Sequence, residues 1–187
     1  PEMFDARLRF GAAYGSVGRR AAAIEQFHHA TLLRPQSDEA HYQLAKSLAG
    51  AKRYDEAVAA YQQAIEIAPQ RAGLHFGLGI ALEGAGRAVE SVEAFRRTLE
   101  LKPDSLAAGN SLAWMLCTTD QVSPADVAEA VQLAEAIAER SQHGHPQILD
   151  TLAAAYAAAG DYAKAVETAQ SAVRLAQEMD APNLASQ

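Results

Sequence analysis

Three prolines, Pro35, Pro69 and Pro103, stand 34 residues apart along the chain. The segments that lead into them are AIEQFHHATLLRP, AVAAYQQAIEIAP and SVEAFRRTLELKP. Each opens on Ala or Ser, places an aromatic four residues on (Phe27, Tyr61, Phe95), and a small residue three further (Ala30, Ala64, Thr98). That spacing returns side chains to one face of an α-helix. The proline ends the helix, because it has no N–H to donate and forces the residue before it out of the helical region. A repeat of this length cannot bury its apolar face alone, so neighbouring copies must stack.

A second helix precedes each of these. FGAAYGSVG, LAKSLAGAK and LGIALEGAG share an apolar, a small and an apolar position: Phe10-Gly11-Tyr14, Leu44-Ala45-Leu48 and Leu78-Gly79-Leu82. The small residue permits close approach of a neighbouring helix, and Gly18 and Gly86 mark the turns that follow. Helices are predicted near 4–16, 19–33, 38–50, 54–67, 72–84 and 88–101.

SLAWMLCTTDQVSP, residues 111–124, interrupts this beat. Leu112-Ala113 and Leu116 make it the first helix of a fourth repeat. Its second helix is delayed by a turn that has gained about five residues, and it begins with Ser123 as cap, Pro124 in the first turn and Asp126 beside the positive helix end. Ala130, Val131, Ala134 and Ile137 form its apolar face. The standard pattern returns in Leu152-Ala153-Tyr156, Gly160-Asp161-Tyr162, Ala165, Ala169 and Ala172.

In register, these motifs resemble the tetratricopeptide repeat. Five repeats fit, near 4–37, 38–71, 72–105, 106–145 and 146–179, with a tail at 180–187. The resemblance covers most of the chain and implies a single all-α domain over 1–187. Its form would be a right-handed α-solenoid of about ten helices. Ala134 and Ala169 depart from the pattern where an aromatic is usual, so those pairs are expected to pack more closely. The closing repeats are similar to those of some bacterial members. QEMDAPNLASQ is a poor capping helix and the chain starts on Pro1, which together suggest a longer native chain.

Charge narrows the partners. Residues 1–105 carry 13 basic and 13 acidic groups, whereas 106–187 carry 3 and 10, giving the net −7. Phosphate binding needs a basic face, so nucleic acid is not expected. No apolar run is long enough to span a membrane. The sequence leaves the compartment open, with the cytoplasm slightly favoured over the periplasm or a membrane tether within a longer chain. One cysteine, Cys117, excludes an internal disulfide and a cysteine zinc site.

No catalytic constellation is present, and no cofactor is implied. The glycines of GLGIALEGAG lie inside a helix pair with no preceding strand, so they read as packing positions rather than a phosphate loop. His28 and His29 point about 100° apart on a helix and cannot chelate one metal together. His41 and His75 occupy equivalent positions and are expected to stack between helices. HGHP at 143–146 offers only two imidazoles.

The resemblance implies that the first helix of each pair lines a concave groove. Residues off the packing stripe would face it: Glu39, Tyr42, Lys46, Phe76, Ile80, Glu83, Asn110, Trp114 and Asp150. Tyr42, Phe76 and Asn110 are equivalent in successive repeats, as are Lys46, Ile80 and Trp114. Aromatic anchors beside a few polar groups suit a peptide. Trp114 could instead pack on the fifth repeat, and Phe76 and Ile80 on neighbouring repeats. Members that clamp a C-terminal carboxylate use Lys and Asn where this chain has Leu8 and Ala12, which disfavours that ligand. The expected function is a non-catalytic scaffold that binds a peptide or helical segment of another protein. The alternatives are self-association through solenoid ends, or one region of a larger protein.

Overall fold

A computed structural model describes residues 2–119 and 123–180. It is all-α, with ten helices among the described residues: α1 (Glu2–Ser16), α2 (Arg20–Leu33), α3 (Asp38–Gly50), α4 (Tyr54–Ile67), α5 (Ala72–Gly84), α6 (Ala88–Leu101), α7 (Leu106–Thr118), α8 (Pro124–Arg140), α9 (Pro146–Ala158) and α10 (Tyr162–Asp180). The chain divides into two compact units, Pro1–Pro103 and Asp104–Gln187. In each, consecutive helices pair antiparallel.

Unit 1 holds the pairs α1–α2, α3–α4 and α5–α6. The residues before the three prolines, Arg34, Ala68 and Lys102, have φ of −138°, −132° and −142°, so the steric rule for pre-proline residues fixes where α2, α4 and α6 stop. Between paired helices the chain reverses through a left-handed residue: Gly18 and Gly86 at φ 75°, and Lys52 at φ 60° in the same register. The amide that follows reaches back five residues, Arg53 N to Leu48 O and Arg87 N to Leu82 O, both 2.9 Å, which closes the helix end.

The aromatic column is enclosed, with Phe27, Tyr61 and Phe95 no more than 4% exposed. Its flat rings sit where α1 and α5 offer glycine. A Cβ at Gly79 would lie 2.5 Å from Phe95, and one at Gly77 2.4 Å from Tyr61. Buried Ser91 adds a directional tie by donating from Oγ to Gly79 O at 2.9 Å. The middle of the unit is a cluster of Ala45, Leu48, Val58, Tyr61, Ala81 and Leu82, with Ile24, Leu44 and Leu78 packed against it.

Unit 2 holds α7–α8 and α9–α10. The expected five-residue lengthening is divided. Five residues rather than three separate α7 from α8, and α8 itself is 17 residues long where α4 and α6 have 14. The extra helical turn comes from a capping box: Ser123 Oγ accepts from Asp126 N, and Asp126 Oδ2 accepts from Ser123 N. The loop expected there falls partly on residues 120–122, which lie outside the described residues, as do 181–187 of the tail. Residues 177–179, within the expected fifth repeat, and Asp180 lie in α10. Ala134 and Ile137 are buried, and Gly109 admits the Ile137 methyl where a Cβ would stand 2.9 Å away. Tyr156 on α9 donates to Glu135 on α8 at 2.7 Å.

Candidate functional site

The nine residues expected to face a groove fall in both units. In unit 1, Tyr42 and Phe76 stand at the same position of α3 and α5, and each meets the buried aromatic of its own pair. Tyr42 approaches Tyr61 edge-on at 6.3 Å between ring centroids, and Phe76 approaches Phe95 at 5.8 Å. Both are half-buried, so each ring has one face committed to packing. One turn on, Ile80 is 38% exposed and Lys46 is exposed. Glu83 lies on the open surface, yet the surrounding protein desolvates its carboxyl and pushes its pKa above the usual glutamate value.

Glu39 is already engaged. Arg71 places Nη2 2.9 Å from Glu39 Oε2 and Nη1 2.7 Å from Asp38 Oδ2, with its guanidinium 4.7 Å from the Tyr42 ring centre. Gln43 Nε2 donates to the other Glu39 oxygen at 2.7 Å. The sequence reading missed Arg71. Its signal was an interruption: Ser37 and Ser105 cap α3 and α7 from this register position, and Arg71 replaces them before α5 without a side-chain cap. Arg71 instead joins the first turn of α3 to the start of α5, anchoring the acidic and aromatic edge of the surface.

In unit 2, α7 presents Asn110 and Trp114 one turn apart. Trp114 is 42% exposed. Its carbonyl accepts from Thr118 Oγ1 at 2.7 Å and Cys117 Sγ at 3.4 Å. Asn110 holds the position of Tyr42 and Phe76, and Ala134 that of Tyr61 and Phe95, so an amide replaces an aromatic pair. Asn110 Oδ1 is enclosed by protein without a hydrogen-bond partner. Asp150, at the corresponding place on α9, is exposed.

The other candidates have structural roles. His41 and His75 do not stack between helices as expected. Each ring Nε2 bonds a carbonyl of the preceding turn, Pro35 O at 2.9 Å and Pro69 O at 2.8 Å. The prolines turn these carbonyls toward the helix start, where an imidazole two residues past the second helical position can reach. Burial pushes the Cys117 thiol up, away from the range of a reactive thiolate. Among the described residues no three His, Cys, Asp or Glu side chains gather at metal-binding distance. No described helix is long and apolar enough to cross a membrane.

Residues 51–86, the span from the turn before α4 to the end of the α5–α6 turn, match the family model for the TPR repeat. That span, about a fifth of the chain, carries the tetratricopeptide repeat. A sequence comparison with curated proteins finds no match. Solved structures of similar fold include MamA, at 16% identity with TM-score 0.81 over 98% of this chain and 98% of that one. YrrB, described as a TPR protein with an unusual peptide-binding site, aligns at 20% identity and TM-score 0.74 over 90% of this chain and 84% of that one. An O-GlcNAc transferase mutant from Thermobaculum terrenum aligns at 22% identity and TM-score 0.65, over 74% of this chain but only 26% of the transferase. At these identities the likeness is one of fold.

Proposed function

We propose that the chain is a non-catalytic scaffold, a single repeat domain over 1–187, that captures an extended or helical segment of a partner protein on its first helices. In unit 1 the contacting residues are Tyr42, Lys46, Phe76, Ile80 and Glu83; in unit 2 they are Asn110, Trp114 and Asp150. Glu39, held by Arg71 and Gln43, orients the Tyr42 edge. The observation that carries this reading is the pair Ile80 and Trp114, which occupy one register position in two different repeats and are both large, apolar and exposed. Large, exposed apolar side chains of this kind serve as anchors for a partner segment.

Asn110 supports the same reading. An enclosed amide oxygen without a partner costs about 1–3 kcal/mol, and local rules of this kind are broken most often at functional sites. Peptide binding by YrrB, a protein of the same fold, makes the ligand class reasonable.

The test is a library of random 12-residue peptides displayed on phage, selected on the wild-type chain and re-scored on variants. Enriched peptides are expected to lose at least tenfold in affinity for Ile80→Ala and Trp114→Ala with helicity unchanged. Asn110→Leu should weaken the peptides while raising the melting temperature, which separates a binding role from a folding one. Peptides that hold the double variant Ile80→Ala/Trp114→Ala as tightly as wild type would contradict the assignment.

A further inference from the structure

Three glutamates of unit 1 are held by arginines: Glu39 by Arg71 at 2.9 Å, Glu56 by Arg53 at 2.6 Å and Glu90 by Arg87 at 2.6 Å. Glu83 is not. Among the described residues it makes no ion pair or hydrogen bond, and burial desolvates its carboxyl with no neighbouring charge to offset the cost. Nor does the fold require a carboxylate at this place. Ala49 of α3 and Cys117 of α7 hold the same register position in the repeats on either side. An acid that is partly desolvated, unpaired and unnecessary for packing is the kind of local exception that marks a contact with something else.

Its position on α5 couples the charge to apolar surface. Phe76, Ile80 and Glu83 follow one another at helical spacing and form one stripe. Phe76 gives one ring face to Phe95, Ile80 is 38% exposed, and Glu83 comes about 4.5 Å further along the helix axis. A lysine or arginine side chain has the same order, an apolar stem behind a charged head. The other charges on α3 and α5 restrict where such a side chain can lie. Asp38 and Glu39 share the guanidinium of Arg71, and Lys46 stands on α3 at the register of Ile80 without pairing to Glu83. Lys46 repels a cation over α3, which leaves α5 as the favourable side.

We infer that the partner segment presents a basic side chain to α5, its stem along Ile80 and its cationic head on Glu83. The inference rests on the capture surface proposed above and adds the chemistry of its occupant at one position. A guanidinium suits that position best, because it is more weakly hydrated than an ammonium and pairs bidentately with a carboxylate. The Glu83 carboxyl has already lost part of its water in the free chain, so less hydration is given up when the pair forms. An acidic side chain brought to the same point is rejected.

The experiment selects the random 12-residue peptides on wild type, Glu83→Gln and Glu83→Lys, with circular dichroism confirming unchanged helicity. Wild type should enrich a shared arginine or lysine. Replacing that residue by norleucine, which keeps an apolar stem and removes the charge, should weaken binding about fivefold. The same replacement should have no effect on Glu83→Gln, and Glu83→Lys should enrich an acidic residue instead. Two results would overturn this inference and leave the capture surface standing, both seen with peptides that weaken in Ile80→Ala and Trp114→Ala. One is the lack of a shared base. The other is a norleucine loss as large on Glu83→Gln as on wild type. Peptides indifferent to Ile80→Ala and Trp114→Ala would overturn both readings, as would a selection that enriches nothing.

Discussion

Gly79 decides how closely α5 can approach α6. The nearest ring atom would stand 2.5 Å from an added Cβ, and Phe95 is fully enclosed and cannot swing away. Gly79→Ala gains about 1 kcal/mol of helix propensity but overpacks the core by about 1–3 kcal/mol. A net loss of up to about 2 kcal/mol in chemical denaturation is expected. Gly73, on the same helix with nothing within 4 Å, is the control: Gly73→Ala should gain up to about 1 kcal/mol. A loss of equal size at both sites would mean that packing on Phe95 is not the cause.

Tyr61 gives the same position a pH signature. Burial, with a smaller contribution from Tyr42, pushes its phenol up to about 12. The unfolded chain ionises its tyrosines nearer 10, so it releases the proton first. Stability is complete below pH 10 and falls as pH rises toward 12. Tyr61→Phe, which copies Phe27 and Phe95, should leave neutral-pH stability within about 1 kcal/mol and make the alkaline decline shallower. An unchanged decline would place the titrating group elsewhere.

The aromatic column and the small position that faces it, Gly11, Ala45 and Gly79, were legible in the sequence because they recur every 34 residues. The bonds of His41, His75 and Arg71 were not. Those side chains act on backbone or on a neighbouring helix, and repeat spacing carries no record of which atom a flexible side chain meets.

Among the elements, α8 departs most from its counterparts. Its early start rests on Ser123 and Asp126, so Ser123→Ala should cost about 1 kcal/mol. Amide exchange should speed up first at Asp126 and Val127, while α9 stays protected. Uniform loss of protection through α7–α10 would mean that the cap secures the whole unit. Sequence spacing revealed the five inserted residues, and the cap motif was visible in Ser-Pro-x-Asp. How the insertion divides between turn and helix depends on where the apolar face of α8 meets α7, which only the packing of Ala134 and Ile137 fixes. The α3 and α5 turns show the complementary case: Lys52 takes the left-handed conformation that Gly18 and Gly86 adopt, because the pattern of backbone bonds requires it whatever the side chain.

Across the molecule, the five helix pairs followed directly from the repeat, and the comparisons with solved structures support the same fold over nearly the full length. The candidate surface was less legible. Register identified which side chains leave the packing stripe, but it did not distinguish Glu39, held by Arg71, from Ile80 and Trp114, whose apolar surface is open. The distinction depends on exposure and on cross-helix bonds. The central claim is that this open surface captures a partner segment, and Trp114 is the single tryptophan that can report on it. The most direct measurement is acrylamide quenching of Trp114 emission during titration with a peptide from the phage selection. The account predicts a quenchable signal in the free chain that becomes shielded in proportion to bound peptide, with the shielding lost in Asn110→Leu at matched concentration. Saturating binding with no change in Trp114 quenching would contradict it and move the site away from α7.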